Sequence, residues 1–394
     1  MRKTRHPRIQ IERPQRRGVV APPLLVPRRL RKERPLTSRL LSVAALVLSV
    51  AIGVAAHPLP DGGGLATAMS DSGGSSSAVQ GRSPPGRGTR SLPSTDSLPV
   101  QRNTVGRVEH LRTLPGHREQ VYSLEFSGDG AYLASSGADR EIKVWDVRTG
   151  RLAHTLQVPF AGRHDVAFSP AGHLLATANR IWEVKSWQVV QTPRQGEGPV
   201  AFSPDGSLLA IAAALHPIVL WDVASGRVVR TLDHPAGDVF RCLAFSPDGT
   251  LLAAGASDYI VRIWDVASGR LARTIHHAAE GQPREHMLDL AFSPNGRVLA
   301  SSGTDLIGRL WNVESWQVTH ELGIGGAPTG LAFSPDGTIL ASSGPTLQLW
   351  DAENGRLLRA LAHRDPIDVA FSPDGLLLAS AGHDHVIHLW GVPR

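Results

Sequence analysis

One phrase, A-F-S-P-D-G with small variations, recurs through the C-terminal three quarters of this 394-residue chain. Its phenylalanine falls at Phe126, Phe168, Phe202, Phe245, Phe292, Phe333 and Phe371, so seven copies fill residues 107–394 at a period of about 41. A tryptophan answers each phenylalanine: Trp145, Trp182, Trp221, Trp264, Trp311, Trp350 and Trp390. Most of these precede an acidic residue or Asn, as in Trp221-Asp222, and Trp390-Gly391 breaks the rule. A unit this short cannot bury both of its faces alone, so the repeats must stack on one another.

The fourth copy predicts how each unit folds. Cys242 to Ser246 reads as a short strand, and Pro247-Asp248-Gly249 supplies a fixed φ, a side-chain acceptor and a residue tolerant of positive φ, which together make a turn. Leu251 to Gly255 runs back as a second strand. Ile260 to Val266 alternates as a third, and Leu271 to Ile275 follows an Ala-Ser-Gly turn as a fourth. The expectation is an all-β, seven-bladed β-propeller of four-stranded antiparallel blades, preceded by one apolar helix and disordered segments.

These residues resemble the WD-repeat family over residues 107–394. The resemblance implies a buried hydrogen-bonded tetrad of His, Ser/Thr, Asp and Trp: His117, Ser135, Asp139 and Trp145 in the first repeat, and His363, Ser380, Asp384 and Trp390 in the seventh. Elsewhere the pattern decays. Ala254 replaces the Ser/Thr beside Asp258 and Trp264, and the fifth repeat keeps Ser301, Asp305 and Trp311 behind a longer loop. Repeats two, three and six lack the turn Asp, so those blades are expected to depend on apolar stacking and to open first.

Charge divides the chain. Residues 1–39 carry 13 Lys/Arg against 2 Asp/Glu, whereas residues 107–394 carry 24 against 30, a net charge of −6 that disfavours a phosphate-binding surface and hence nucleic acid as partner. Residues 40–56, LLSVAALVLSVAIGVAA, are uncharged and read as a transmembrane anchor or a signal segment. Residues 57–106 are rich in Gly, Ser and Pro and read as a disordered linker. The basic residues before Leu40 place the tail, residues 1–39, in the cytoplasm, so the expectation is a membrane-anchored propeller outside it, with a secreted or cytoplasmic protein as alternatives. A start at Met69 would make the chain a cytosolic scaffold. Cys242 is the only cysteine, which excludes an intramolecular disulfide.

No reactive constellation emerges: there is no G-x-S-x-G elbow, no H-E-x-x-H and no glycine loop between strand and helix. The His, Ser and Asp of the tetrads repeat at strand and turn positions, which suits a structural network better than a triad. On an extended strand His385 and His388 point to opposite faces, so no ion shared by His383, His385 and His388 is expected, and no metal or cofactor is assigned. His276-His277 reads as part of a solvated loop. The expected function is a non-catalytic platform for a protein or peptide partner, built on a monomeric propeller, with a propeller hydrolase or ligand-binding enzyme as the alternative.

In the family resembled, partners meet the loops around the channel mouth. Positions six and four before each phrase phenylalanine, and the residue before the turn Asp, map that face onto Gln120 and Tyr122, Val239 and Arg241, His286 and Leu288, Asp365 and Ile367, then Ala138, Ser257, Thr304 and His383. Tyr122 and Arg241 are the expected anchors, with His286 and His383 behind them. The third strand of the last repeat ends at the C-terminus. Arg107 to Leu114, RVEHLRTL, resembles the fourth-strand phrase RVVRTL at Arg227 to Leu232 and is expected to complete the final blade.

Overall fold

The Ser-Pro-Asp-Gly corner sets the geometry of each blade. In the computed structural model the Ser203 hydroxyl donates to Asp205 Oδ1 at 2.5 Å, the Ser207 amide donates to the same oxygen at 3.0 Å, and the Leu208 amide returns to Ser203 Oγ at 2.9 Å. Gly206 takes φ 73°, a left-handed value at which a Cβ is strained. The corner at Ser372 repeats this arrangement, its hydroxyl donating to Asp374 at 2.6 Å and accepting from the Leu377 amide at 2.9 Å. A second corner follows every repeat tryptophan but Trp390: Asp222 Oδ1, for example, accepts from the Ser225 amide at 2.7 Å, and Gly226 turns the chain at φ 64°. In the second and fifth repeats Trp187 and Trp316 occupy that left-handed position, at φ 55° and 57°.

The described residues are 97–158, 165–193, 198–213, 216–234, 239–277, 286–326 and 329–393. They form seven four-stranded antiparallel sheets, numbered here as blades 1 to 7 in the order of the phrase phenylalanines. Blade 1 runs outward through Val121–Phe126, Tyr132–Gly137, Glu141–Asp146 and Arg151–Gln157. Burial falls off along that path. The first three strands are largely buried, and the fourth is exposed along nearly its whole length.

The apolar core lies between blades rather than within them. Leu124, Phe126 and Trp145 of blade 1 pack on Leu377, Ala379 and Leu389 of blade 7. Ala134, Ile142 and Val144 meet Phe168, Leu175 and Trp182 of blade 2, and Leu220 and Leu232 meet Phe240, Leu252 and Trp264 across the third boundary. Among the described residues every neighbouring pair of blades shares such a cluster.

The ring closes as the repeated phrase predicts. Glu109–Pro115 is the outer strand of blade 7, antiparallel to Val386–Gly391, with Thr113 opposite His388 and Leu114 opposite Ile387. The expected linker of residues 57–106 needs correction at its end. Leu98 bridges Val392, and the Val100 amide donates to the Gly375 carbonyl at 2.8 Å. Val100, Val105 and Val108 are buried between blades 6 and 7, and Arg102 pairs with Asp351 and Glu353 at 2.8 and 2.9 Å. Three valines on a polar background are enough to fix this stretch because blade 7 offers an apolar face to receive them. The expected tail (1–39), the apolar segment (40–56) and the linker up to residue 96 lie outside the described residues. Among the described residues no helix is long and apolar enough to cross a membrane.

Closure makes the first strand as important as any interior one. Leu114→Ala should lower stability by about 2–5 kcal/mol, because Leu114 is 2% exposed and bridges blades 1 and 7. Removing residues 98–115 should lower the melting temperature and promote aggregation through the bared edge of Val386–Gly391. Light scattering during a thermal melt checks both. Unchanged melting of either variant counts against closure by this segment.

Candidate partner-binding channel

Polar side chains clasp the rim tryptophan in blades 1, 3, 5, 6 and 7, and the clasps differ from blade to blade. In blade 1 the Trp145 indole donates to Ser135 Oγ at 3.0 Å, His117 Nε2 meets the same hydroxyl at 2.8 Å, and His117 Nδ1 meets Asp139 at 3.0 Å. Blade 7 repeats the inner part, with Trp390 on Ser380 at 2.8 Å and His363 Nδ1 on Ser380 at 2.7 Å. Its outer part is looser, since His363 Nε2 stands 3.4 Å from Asp384 without forming a hydrogen bond. Asp384 is instead engaged by His388 Nε2 at 2.7 Å. Burial opposes ionisation of Asp384, yet the imidazoles of His363 and His388 hold its carboxyl far below the usual carboxylate range.

Blade 5 holds a third clasp, complete through its turn Asp, that the expected solvated loop conceals. His277 is 2% exposed, its Nδ1 2.8 Å from Ser301 Oγ and its Nε2 3.2 Å from Asp305, while Trp311 donates to Ser301 at 2.7 Å. Although burial works against it, Asp305 is held at about 2 by hydrogen bonds from His277 and Arg309. The readable signal is the outer strand before the histidine, not the loop after it. His277 lies two residues beyond Ile275, as His363 lies two beyond Leu361 and His234 two beyond Leu232. Burial lowers the pKa of both His117 and His277, which keeps them neutral near neutral pH.

Blades 3 and 6 lack other members of the set. Trp221 of blade 3, with Ile211 in place of the serine, donates to Gln191 of blade 2 at 2.7 Å, and Trp350 of blade 6 keeps its serine, donating to Ser342 at 2.9 Å. In blade 4, Phe240 lies edge-on to both Trp264 and His234, at 6.0 and 4.7 Å between centroids. Blades 3 and 6 are therefore not held by apolar stacking alone.

The inner strands of all seven blades wall an axial channel. Tyr122, Arg241 and Leu288 line one cavity of about 240 Å3, together with Asp165, Val200, Thr329 and Asp368. A second cavity, of about 300 Å3, shares Glu125, Val166, Val200 and Leu243 with the first, so the two are stretches of one passage. Three of the residues expected at the channel mouth are thus brought together. Gln120 and His286 lie off the cavity, their carbonyls accepting from the Ala138 and Thr304 amides at 2.8 and 3.1 Å to close the blade rim. Ile367 is buried, its carbonyl taken by the Thr329 hydroxyl, so it corrects to a packing residue; His383 is exposed and does not line the cavity.

Carboxylates stitch one blade to the next around this channel. Asp368 of blade 7 accepts from the Leu124 amide of blade 1 at 2.7 Å, Glu125 of blade 1 from Phe168 of blade 2 at 2.5 Å, and Asp289 of blade 5 from Leu331 of blade 6 at 2.6 Å. Burial pushes Glu125 up to about 8, with Asp368 and Asp165 adding to the rise. Burial also lifts Asp289 well above its ordinary range, again aided by Asp368. The phrase itself carries this signal, since Asp165, Asp289 and Asp368 all stand three residues before the phenylalanine.

Seven repeated sheets, most of them clasped at the rim and all closed into a ring around an axial channel, define a repeat-built β-propeller. The family model "WD domain, G-beta repeat" matches residues 108–146, 226–265, 276–312, 317–351 and 355–391, and passes over blade 2 and the first three strands of blade 3, two blades whose rim clasps are incomplete. The chain belongs to the WD-repeat family. It is similar to WD repeat-containing protein SL1-17 of Schistosoma mansoni, 37% identical over 76 residues, 19% of this chain and 25% of that protein. Eukaryotic translation initiation factor 3 subunit I of Scheffersomyces stipitis is 40% identical over 74 residues, 18% of this chain and 21% of that protein. A guanine nucleotide-binding protein subunit beta of Nicotiana plumbaginifolia is 35% identical over 65 residues, 16% and 17% of the two chains. The chain thus spans a quarter or less of the curated relatives it matches. The expectation of a membrane-anchored propeller outside the cytoplasm is overturned by this company, a translation initiation factor subunit and a guanine nucleotide-binding protein subunit, and no described helix could carry the anchor.

Two measurements check the site. His277→Ala should lower the melting temperature, and so should His117→Ala, each leaving a buried serine and the turn aspartate with a lost partner at about 1–3 kcal/mol, whereas His276→Ala, on an exposed neighbour, should not. Equal melting of the two neighbouring variants would remove the third clasp. For Glu125, the folded state holds a proton that the unfolded chain has released above its ordinary pKa of 4.5. Stability should therefore fall as pH rises from about 5 through about 8. Glu125→Gln, which mimics the neutral acid, should flatten that fall. A variant whose melting tracks the parent at every pH argues against a neutral Glu125.

Proposed function

We propose that this chain is a protein-interaction platform that binds a protein or peptide segment at the channel mouth. One observation carries this reading: Tyr122, Arg241 and Leu288, on the inner strands of three different blades, line a single cavity. Aromatic and Arg side chains are the usual anchors of a binding patch. Below them the wall carries Glu125, Asp165, Asp289 and Asp368, whose burial and crowding lift Glu125 and Asp289 above their ordinary range; an entering Lys or Arg would relieve that crowding, whereas phosphate would add to it. Two of the relatives support the same reading, one being a subunit of a translation initiation factor and the other a subunit of a guanine nucleotide-binding protein.

The test is capture of partners from lysate by the folded chain and by Tyr122→Ala combined with Arg241→Ala. The double variant should melt as the parent does and lose about 2 kcal/mol or more of binding, roughly a thirtyfold drop in affinity. Equal capture by the folded double variant would move the partner to the blade sides or the opposite face.

A further inference from the structure

We propose that His363, Asp384 and His388 form a binding site for a divalent transition-metal ion, of the zinc class, that pins blade 6 to blade 7 beside the closure of the ring. The sequence reading assigns no metal, because it weighs His388 only against His383 and His385. The fold gives His388 different neighbours. His363 ends the outer strand of blade 6, Leu357–Arg364; Asp384 lies in the turn after the second strand of blade 7; and His388 stands on the third, Val386–Gly391.

The donor atoms converge. His388 Nε2 is 2.7 Å and His363 Nε2 3.4 Å from Asp384 Oδ2, and all three ligand atoms lie within 4.8 Å of one another. Ligands of a tetrahedral zinc ion with bonds near 2.0 Å stand about 3.3 Å apart, so small side-chain adjustments suffice. Two imidazoles and one carboxylate are a set that zinc accepts, with water in the fourth position.

The outer hydrogen bonds let both imidazoles take a tautomer that can bind a metal. His363 Nδ1 is 2.7 Å from Ser380 Oγ and His388 Nδ1 is 3.2 Å from His110 Nε2. When an ion takes the place of the proton that now joins His388 Nε2 to Asp384, each Nδ1–H can donate to that neighbour and each Nε2 lone pair faces the metal. Ser380 also accepts from Trp390, and its two lone pairs allow both bonds. The independent sign of a missing partner is His363 Nε2 itself. Its side chain is 2% exposed, and this buried nitrogen makes no hydrogen bond. A buried nitrogen of this kind should cost stability unless something fills its valence.

The other blades show what the site replaces. Four residues beyond the turn Asp, blade 1 has Lys143, blade 4 has Arg262 and blade 5 has Arg309. Arg262 and Arg309 lie 2.7 and 2.6 Å from their aspartates, so a permanent cation faces the carboxylate there. Blade 7 has His388 in that position, a group that is neutral when it binds metal. An ion would supply the missing charge. At 37% exposure Asp384 gives it a path from solvent.

The experiment uses the untagged full-length chain, stripped with a chelator and dialysed, with zinc as the probe. The parent should retain one zinc per chain and gain about 5 °C in melting temperature at zinc near a hundredfold above its dissociation constant. His388→Arg restores the cation found in blades 4 and 5 and should fold, yet lose the zinc response. Asp384→Asn should weaken zinc binding at least tenfold. A parent that retains no zinc and melts unchanged overturns the site, as does a His388→Arg chain with an undiminished response.

Discussion

The stacking of one blade face on the next is the interaction from which everything else in this propeller follows. A four-stranded sheet of short strands has two apolar faces and no interior of its own. Leu220 and Leu232 find their burial only against Phe240 and Trp264 of the following blade, and the same holds at every boundary among the described residues. Such a stack has two bare ends unless it bends back on itself. Ring closure is therefore a condition of stability, and the strand Glu109–Pro115 meets it by lending blade 7 its edge from the far end of the fold.

Apolar stacking is not directional, so polar side chains set the register. At the rim, Trp145, Ser135, His117 and Asp139 tie turn to strand with every donor answered. Along the axis, Asp368, Glu125 and Asp289 of one blade accept hydrogen bonds from amides of the next. The two sets act at opposite ends of each sheet, so together they resist sliding and tilting. Blades that lack one member substitute locally, with Gln191 reaching across to Trp221 or Phe240 filling the space beside Trp264.

The repeat period, the two corner motifs and the strand order were legible because each rests on local chemistry within about 40 residues. Gly206 and Gly226 sit where Pro-Asp-Gly and the turn after Trp221 need positive φ, and both are readable from their neighbours alone. Tyr122, Arg241 and Leu288 were legible as a set because the repeat gives equivalent places to equivalent offsets. His277 was not, since the loop beyond it obscures its offset from Ser301, and burial is a property of the assembled rim. Residues 98–106 escaped for a similar reason: Val100 and Val105 look sparse in a polar stretch, and only the groove between blades 6 and 7 gives them a place.

By itself the sequence determined the all-β class, the seven units, their four-strand pattern and the strand that closes the ring, because these depend on periodicity and on turns between near neighbours. Only the tertiary structure decided which side chains from different blades meet. His363 and His388, 25 residues apart on different sheets, come to share Asp384, and Glu125 rises to about 8 in a passage walled by seven separate strands. Distances and dielectric surroundings of that kind arise when the ring closes and water leaves the space between blades, and no single repeat contains them.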